Sequence, residues 1–317
     1  MNHSFKIFAA TSFTSLILAE AVAAADIPSL VDKLKKGNPG EQVAAAQELG
    51  NAGKDAIPSL LDVIEHDKTR ALPLARAALE KALQEPSSRT EDVRGRLINL
   101  SKKEDFTAAS TAIDSLGTFD QAEADDAIAD VAKSHPKQEV RTHAIRRLSV
   151  LKQFDRQAPM LNDLLKDPSP IIRDEAAAAL GLHGDKSGLD AVLASLKQSK
   201  DKTPERSSSV YAAETLGDPN AIPVLEKIRD AEPPPEAHIV RAITVLKFKQ
   251  LRDDDSRINF LRESLRKKEG NVDRWALGET LTRAKKSPEY KALLQEVASD
   301  PKHPMQRDAV SVLKNIK

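Results

Sequence analysis

Self-similarity at a fixed period constrains this chain more than any single motif does. The segment Ile27-Pro28-Ser29-Leu30-Val31 recurs as Ile57-Pro58-Ser59-Leu60-Leu61 and again as Ile222-Pro223-Val224-Leu225. Each proline falls where a helix would begin, a position at which its missing N–H costs nothing. A second mark, Leu-Gly at the end of an alanine-rich run, appears at Leu49-Gly50, Leu116-Gly117, Leu180-Gly181 and Leu216-Gly217. There the glycine is expected in a left-handed conformation just past a helix. Taking one closing leucine per unit gives Leu49, Leu83, Leu116, Leu148, Leu180, Leu216, Leu246, Leu281 and Leu313, with a mean step of 33 residues. A period of that length means stacked helical units, each burying its apolar face against its neighbours.

Composition agrees. Aromatic residues make up only 3% of the chain, with Trp275 the one tryptophan, too few for a large β-sandwich or barrel. Ala, Leu, Lys, Glu and Asp dominate, which favours helix. The expected architecture is an all-α solenoid of about nine antiparallel helix pairs. Unit boundaries fall near 27–56, 57–88, 89–120, 121–156, 157–185, 186–220, 221–253, 254–286 and 287–317.

The clearest unit predicts helix A over Met160–Lys166, a turn Asp167-Pro168-Ser169-Pro170 and helix B over Ile171–Leu180. Ser169 is placed to cap helix B, with Pro170 in its first turn. The segment from Asp167 through Gly181 resembles the core of a HEAT repeat, and more narrowly the short HEAT-like repeats of phycobilin lyase relatives. Leu216-Gly217-Asp218-Pro219-Asn220-Ala221-Ile222-Pro223-Val224-Leu225 resembles the junction between successive units of that family. The likeness extends over residues 27–317 and is strongest in the central units. The resemblance implies an Asp before helix B and an Arg early in it, laddered along the stack, with B helices lining a concave side. Asp167 and Arg173 match. Arg141 and Arg241 follow a Val as the pattern asks but lack the upstream Asp, and in the sixth unit Ser209 stands where the Arg is expected. The extended polar turn Gln198–Ser207 and the stiff Pro233-Pro234-Pro235 turn are candidate contact elements.

Residues 1–25 read as a secretory signal peptide: Lys6, a mostly apolar stretch from Ile7 to Ala19, and Ala23-x-Ala25 before Asp26. Glu20 is unfavourable in such a leader, and an ordinary first helix of the array is the other reading of the segment. Residues 26–317 then form the mature repeat array, expected in the periplasm or secreted. No other stretch approaches the ~20 apolar residues of a membrane span. The absence of cysteine excludes disulfides, thiolate metal sites and a cysteine nucleophile.

Lys plus Arg equals Asp plus Glu, at 48 each, which argues against bulk attraction to nucleic acid. Neither a phosphate-cradling glycine loop nor a Gly-x-Ser-x-Gly elbow is present. His66, His135, His143, His183, His238 and His303 show no metal spacing and are expected as exposed histidines on loops and helix surfaces. Asp253-Asp254-Asp255 lacks the alternating ligands of a calcium loop and reads as charge compensation at a helix start. One cluster stands out, in helix B of the fourth unit. Val140, Ala144, Ile145 and Leu148 take the core face, which leaves Arg141, His143, Arg146 and Arg147 outward, with Arg173 and Arg241 able to extend a positive stripe. This stripe is a candidate surface for an acidic partner. The plainer reading, ladder arginines on a solvated face, carries more weight on sequence alone.

The sequence therefore points to an exported, non-enzymatic scaffold that binds a protein or peptide on its concave face, with no cofactor and no metal. The resemblance also offers a bilin-lyase-like ligand-handling enzyme or chaperone, for which Trp275, Tyr211, Tyr290 and scattered Phe residues are a thin aromatic supply.

Overall fold

A computed structural model describes residues 26–67, 71–200, 203–231, 236–267, 271–314 and 316. The leader expected over 1–25 and the triple-proline turn lie outside the described residues. Eighteen α-helices and three short 3₁₀ turns make up the described elements. The helices are α1 (Ile27–Lys36), α2 (Pro39–Asn51), α3 (Ile57–His66), α4 (Leu72–Ala82), α5 (Glu91–Ser101), α6 (Phe106–Leu116), α7 (Ala122–Ser134), α8 (Gln138–Leu148) and α9 (Phe154–Leu164). They continue as α10 (Pro170–Leu182), α11 (Leu189–Gln198), α12 (Pro204–Leu216), α13 (Ile222–Ala231), α14 (Ala237–Lys249), α15 (Asp254–Ser264), α16 (Val272–Ala284), α17 (Pro288–Ser299) and α18 (Gln306–Leu313). Odd-numbered helices are the A members of nine pairs and even-numbered ones the B members, so the chain is an α-solenoid in element order.

The chain divides at Phe154–Asp155 into two compact units. The first, holding α1 to α8, buries Leu34, Leu49, Ile57, Leu60, Leu79, Leu97, Ile113, Ile128 and Leu148 almost completely. In the second, one core joins Ala177, Val192, Leu196, Val210, Leu216, Leu225, Ile239 and Leu246. Another joins Phe248, Leu261, Leu265, Tyr290, Leu293 and Leu294.

Helix starts follow the expected chemistry. Ser169 caps α10 by accepting from Ile172 N–H, with Pro170 in the first turn. Asp253 caps α15 by accepting from Ser256 N–H at 2.7 Å, as its charge-compensation reading required.

The structure corrects four details. α9 begins at Phe154, not Met160, and keeps Pro159 inside the helix. Phe154, Gln157, Leu161 and Leu164 are buried at helical spacing, and this stripe outweighs the proline's tendency to break a helix. Of the expected long polar turn of the sixth unit, residues 204–207 are helical, since α12 starts at Pro204. In the eighth unit Leu281 is only half-buried, and the core takes Ala276, Leu277 and Thr280 instead.

The fourth correction concerns the Leu-Gly mark. Only Gly217 is left-handed, at φ 67°; Gly50 and Gly181 lie within their helices, and Gly117 has φ −64°. Their common property is a close approach by the next B helix. A Cβ at Gly50 would meet Lys81, one at Gly117 would overlap Arg147, one at Gly181 would meet Leu216, and one at Gly217 would meet Lys249. The glycine is thus a notch in one B helix that receives a residue of the next.

Candidate partner-binding site

The six basic residues singled out from the sequence go to different tasks. Arg141 turns back to the end of α7, its Nε donating to Ala132 O at 2.9 Å, one of the carbonyls a helix end leaves without an internal partner. Arg173 does the same for the turn before α10, with Nη1 donating to Asp167 O at 2.8 Å and Pro168 O at 3.1 Å. Arg241 reaches from α14 to Glu214 Oε2 on α12 at 3.2 Å. Burial pushes the Glu214 carboxyl up, opposed by Arg241 and Lys249. Arg146 is exposed on α8. Arg141, Arg173 and Arg241 are therefore structural in their visible contacts.

The sixth unit does have its turn arginine, but three residues earlier than Ser209. Arg206 is 3% exposed, donates from Nη2 to Ser199 O at 2.7 Å, and lies 3.5 Å from Glu236. Ser209 serves the core instead, its hydroxyl donating to Asp174 at 2.6 Å. Two histidines also depart from expectation. His135 and His303 are each 6% exposed, and each accepts at Nδ1 from the backbone N–H two residues on, those of Lys137 and Met305. They are turn-fixing groups rather than surface histidines.

His143 and Arg147 are brought to one place. His143 Nε2 lies 2.9 Å from Asp114 Oδ1 on α6. Its ring meets Phe106 edge-on, with centroids 6.0 Å apart, and Phe106 is 44% exposed. Asp114 also faces Arg76 of α4, at 3.7 Å. Arg147 lies across Gly117, just beyond α6. Its Nε is shielded from water and has no hydrogen-bond acceptor.

Arg76, Asp114 and Arg147 line a cleft of about 260 Å³ on the B-helix side of the first unit, which His143 meets through Asp114 and Phe106 through His143. α4 contributes Arg76 and Glu80, α6 contributes Thr111, Asp114 and Ser115, and Arg147 closes it from α8. The hydroxyl protons of Thr111 and Thr118 are committed to Thr107 O and Ser115 O, both at 2.7 Å, which leaves lone pairs to the cleft. The guanidinium groups are thus its N–H donors. Among the described residues no group of three or more His, Asp or Glu is arranged to hold a metal ion. Arg76, Asp114, Phe106 and Thr111 went unmarked in the sequence because only the stagger between successive B helices sets them beside His143 and Arg147.

In the second unit the aromatic residues pack on one another. Phe248 meets Phe260 at 5.9 Å and Trp275 edge-on at 5.4 Å, while Arg283 lies over the Phe248 and Tyr290 rings at 5.2 and 5.6 Å. Among the described residues no helix is long and apolar enough to cross a membrane.

Comparison with known proteins gives the following. No curated protein sequence matches the chain. The complex of CpcE and CpcF of phycocyanin lyase from Nostoc sp. is similar at 17% identity and TM-score 0.46, covering 71% of this chain and 94% of that one. The Escherichia coli protein YibA is similar at 19% identity and TM-score 0.47, covering 89% and 100%. Human deoxyhypusine hydroxylase in complex with glycerol is similar at 15% identity and TM-score 0.33, covering 94% and 99%. The family model described as HEAT repeats matches residues 157–243, the stretch in which the sequence resemblance is densest. This chain is an all-helical protein of stacked helix pairs that carries HEAT repeats over that central segment.

Proposed function

We propose that the protein is an exported, non-enzymatic HEAT-repeat scaffold that holds a protein or peptide partner on the B-helix side of its first unit. One observation carries the reading: a large apolar side chain, Phe106, stands 44% exposed instead of in a core, against His143, which bonds Asp114 of the polar cleft. Exposed aromatic and arginine side chains are the residues enriched at interface centres. Repeat arrays present such surfaces without needing reactive groups. Support for export is the leader pattern alone.

The test is site-specific photo-crosslinking in the producing cell, with a photoreactive phenylalanine analogue at position 106 of the full-length chain. The expected result is one or a few discrete protein adducts in the exported fraction, on a product whose N-terminus lies near Asp26. Absence of adducts, together with a small molecule or bilin that raises the melting temperature, would overturn the reading in favour of ligand handling.

A further inference from the structure

We propose that the cleft between α4, α6 and α8 is a receptor for a single carboxylate, the side chain of an Asp or Glu in the peptide partner, gripped by the guanidinium of Arg147. This rests on reading the protein as a peptide-binding scaffold and names the chemistry that the surface selects.

Arg147 is the anomaly that leads here. It is half-buried and lines the cleft, and its Nε is cut off from water with no hydrogen-bond acceptor. An N–H that loses water without gaining an acceptor is costly, and the first unit supplies none to this Nε. Three neighbouring basic groups are engaged: Arg141 on Ala132 O, His143 on Asp114, and Arg76 loosely on the same Asp114. Asp114 therefore serves two basic groups and leaves the Arg147 Nε unanswered.

The position of Arg147 is also fixed in advance. Its side chain occupies the notch made by Gly117, where any Cβ would collide with it. Binding then costs little side-chain ordering. A planar fork held this way matches a carboxylate in a bidentate manner. The volume, about 260 Å³, falls below the ~300–1,000 Å³ of small-molecule sites, so it suits one side chain, with the flanking peptide passing over Phe106. Glu80 lines the same cleft, exposed and without an ion-pair partner among the described residues. Its charge opposes a second carboxylate, so the cleft selects an isolated acidic residue over an acidic run.

The experiment is fluorescence anisotropy with the full-length protein. The probes are a labelled nonapeptide with one central glutamate in a Gly/Ser/Leu background and its glutamine counterpart. The expected result is at least a tenfold preference for the glutamate peptide. Arg147→Gln should abolish that preference and Arg147→Lys should weaken it, while Arg146→Gln, one residue along and exposed, should change binding less than twofold. Glu80→Gln should tighten binding of a peptide with two adjacent glutamates. Circular dichroism confirms folding of each variant. Equal losses from Arg146→Gln and Arg147→Gln would reduce the effect to diffuse surface charge and overturn the proposal, as would no preference or no binding at millimolar peptide. Adducts at position 106 that persist unchanged in Arg147→Gln would keep the scaffold and remove the carboxylate receptor; loss of all adducts in the wild type removes both.

Discussion

Ser209 Oγ donates to Asp174 Oδ2 at 2.6 Å across the seam between α12 and α10, and neither residue has any exposed surface. Burial pushes the Asp174 carboxyl up to about 7; the Ser209 and Ser195 hydroxyls and Arg173 oppose this, and Glu175 adds to it. The unfolded chain would ionise the same group near its ordinary value of 3.8. Between those two values unfolding releases a proton, so this residue makes stability fall as pH rises from about 4 to about 7, and flat outside that window. Three units correspond to about 4 kcal/mol as an upper figure. Asp174→Asn should remove this slope and leave the variant more stable than wild type above pH 7. Hydrogen exchange of α10 and α12 amides at pH 5 and pH 8 is the measurement; an unchanged pH slope in the variant would sink the assignment.

The fold was legible because period and turn chemistry are local signals. Ile-Pro starts and buried closing leucines such as Leu49, Leu116 and Leu180 follow from the periodicity of each helix taken alone. Where a neighbouring helix decides, the sequence fell short. The first turn of α9 is drawn in by the burial of Phe154 and Gln157, and Leu277 displaces Leu281 from the eighth core. For the site, α8 supplied His143 and Arg147, yet nothing in one helix reveals that Asp114 and Arg76 face them. The B-to-B stagger does that, through the notch at Gly117.

The notches make a paired prediction. In Gly181→Ala the new Cβ would stand 3.0 Å from Leu216 Cα and 3.1 Å from its N, a backbone that cannot step aside. Overpacking of this kind costs roughly 1–3 kcal/mol, against a gain of about 1 kcal/mol from helix propensity, so a net loss of up to about 2 kcal/mol is expected. Gly278 lies mid-helix in α16 with nothing within 4 Å, so Gly278→Ala should stabilise by about 0.5–1 kcal/mol. Urea midpoints moving in opposite directions check the pair; a stabilised Gly181→Ala would refute the notch.

Tyr290 ties the start of α17 to the start of α15. Its ring is 1% exposed, and its hydroxyl donates to Asp254 Oδ1 at 2.8 Å. Burial, then the Asp254 bond, raises the phenol above its ordinary value of 10.0. Tyr290→Phe keeps the ring under Arg283 and removes only the hydrogen bond, so a loss of about 1 kcal/mol is expected. A larger loss in urea titration would mean that the hydroxyl has a further role.

Arg206 offers a test with two independent readouts. It fills the turn before α12, holds Ser199, and lies 3.5 Å from Glu236, whose side chain is 11% exposed. Removing one member of such a buried pair leaves the other charge uncompensated, at a cost of about 3–5 kcal/mol. Arg206→Met should therefore lower the urea midpoint strongly, whereas loss of a solvent-exposed arginine costs about 0–1 kcal/mol. His238 supplies the second readout. Its imidazole is held below the ordinary value of 6.5 first by burial, with Glu236 pulling the other way and Arg241 and Arg206 adding to the depression. Deleting the Arg206 charge removes one of the depressing groups, so His238 should titrate at higher pH in Arg206→Met, measured by NMR of the imidazole protons. A stability loss with no upward movement of His238 would show that Arg206 acts through packing alone and that its charge does not reach the start of α14.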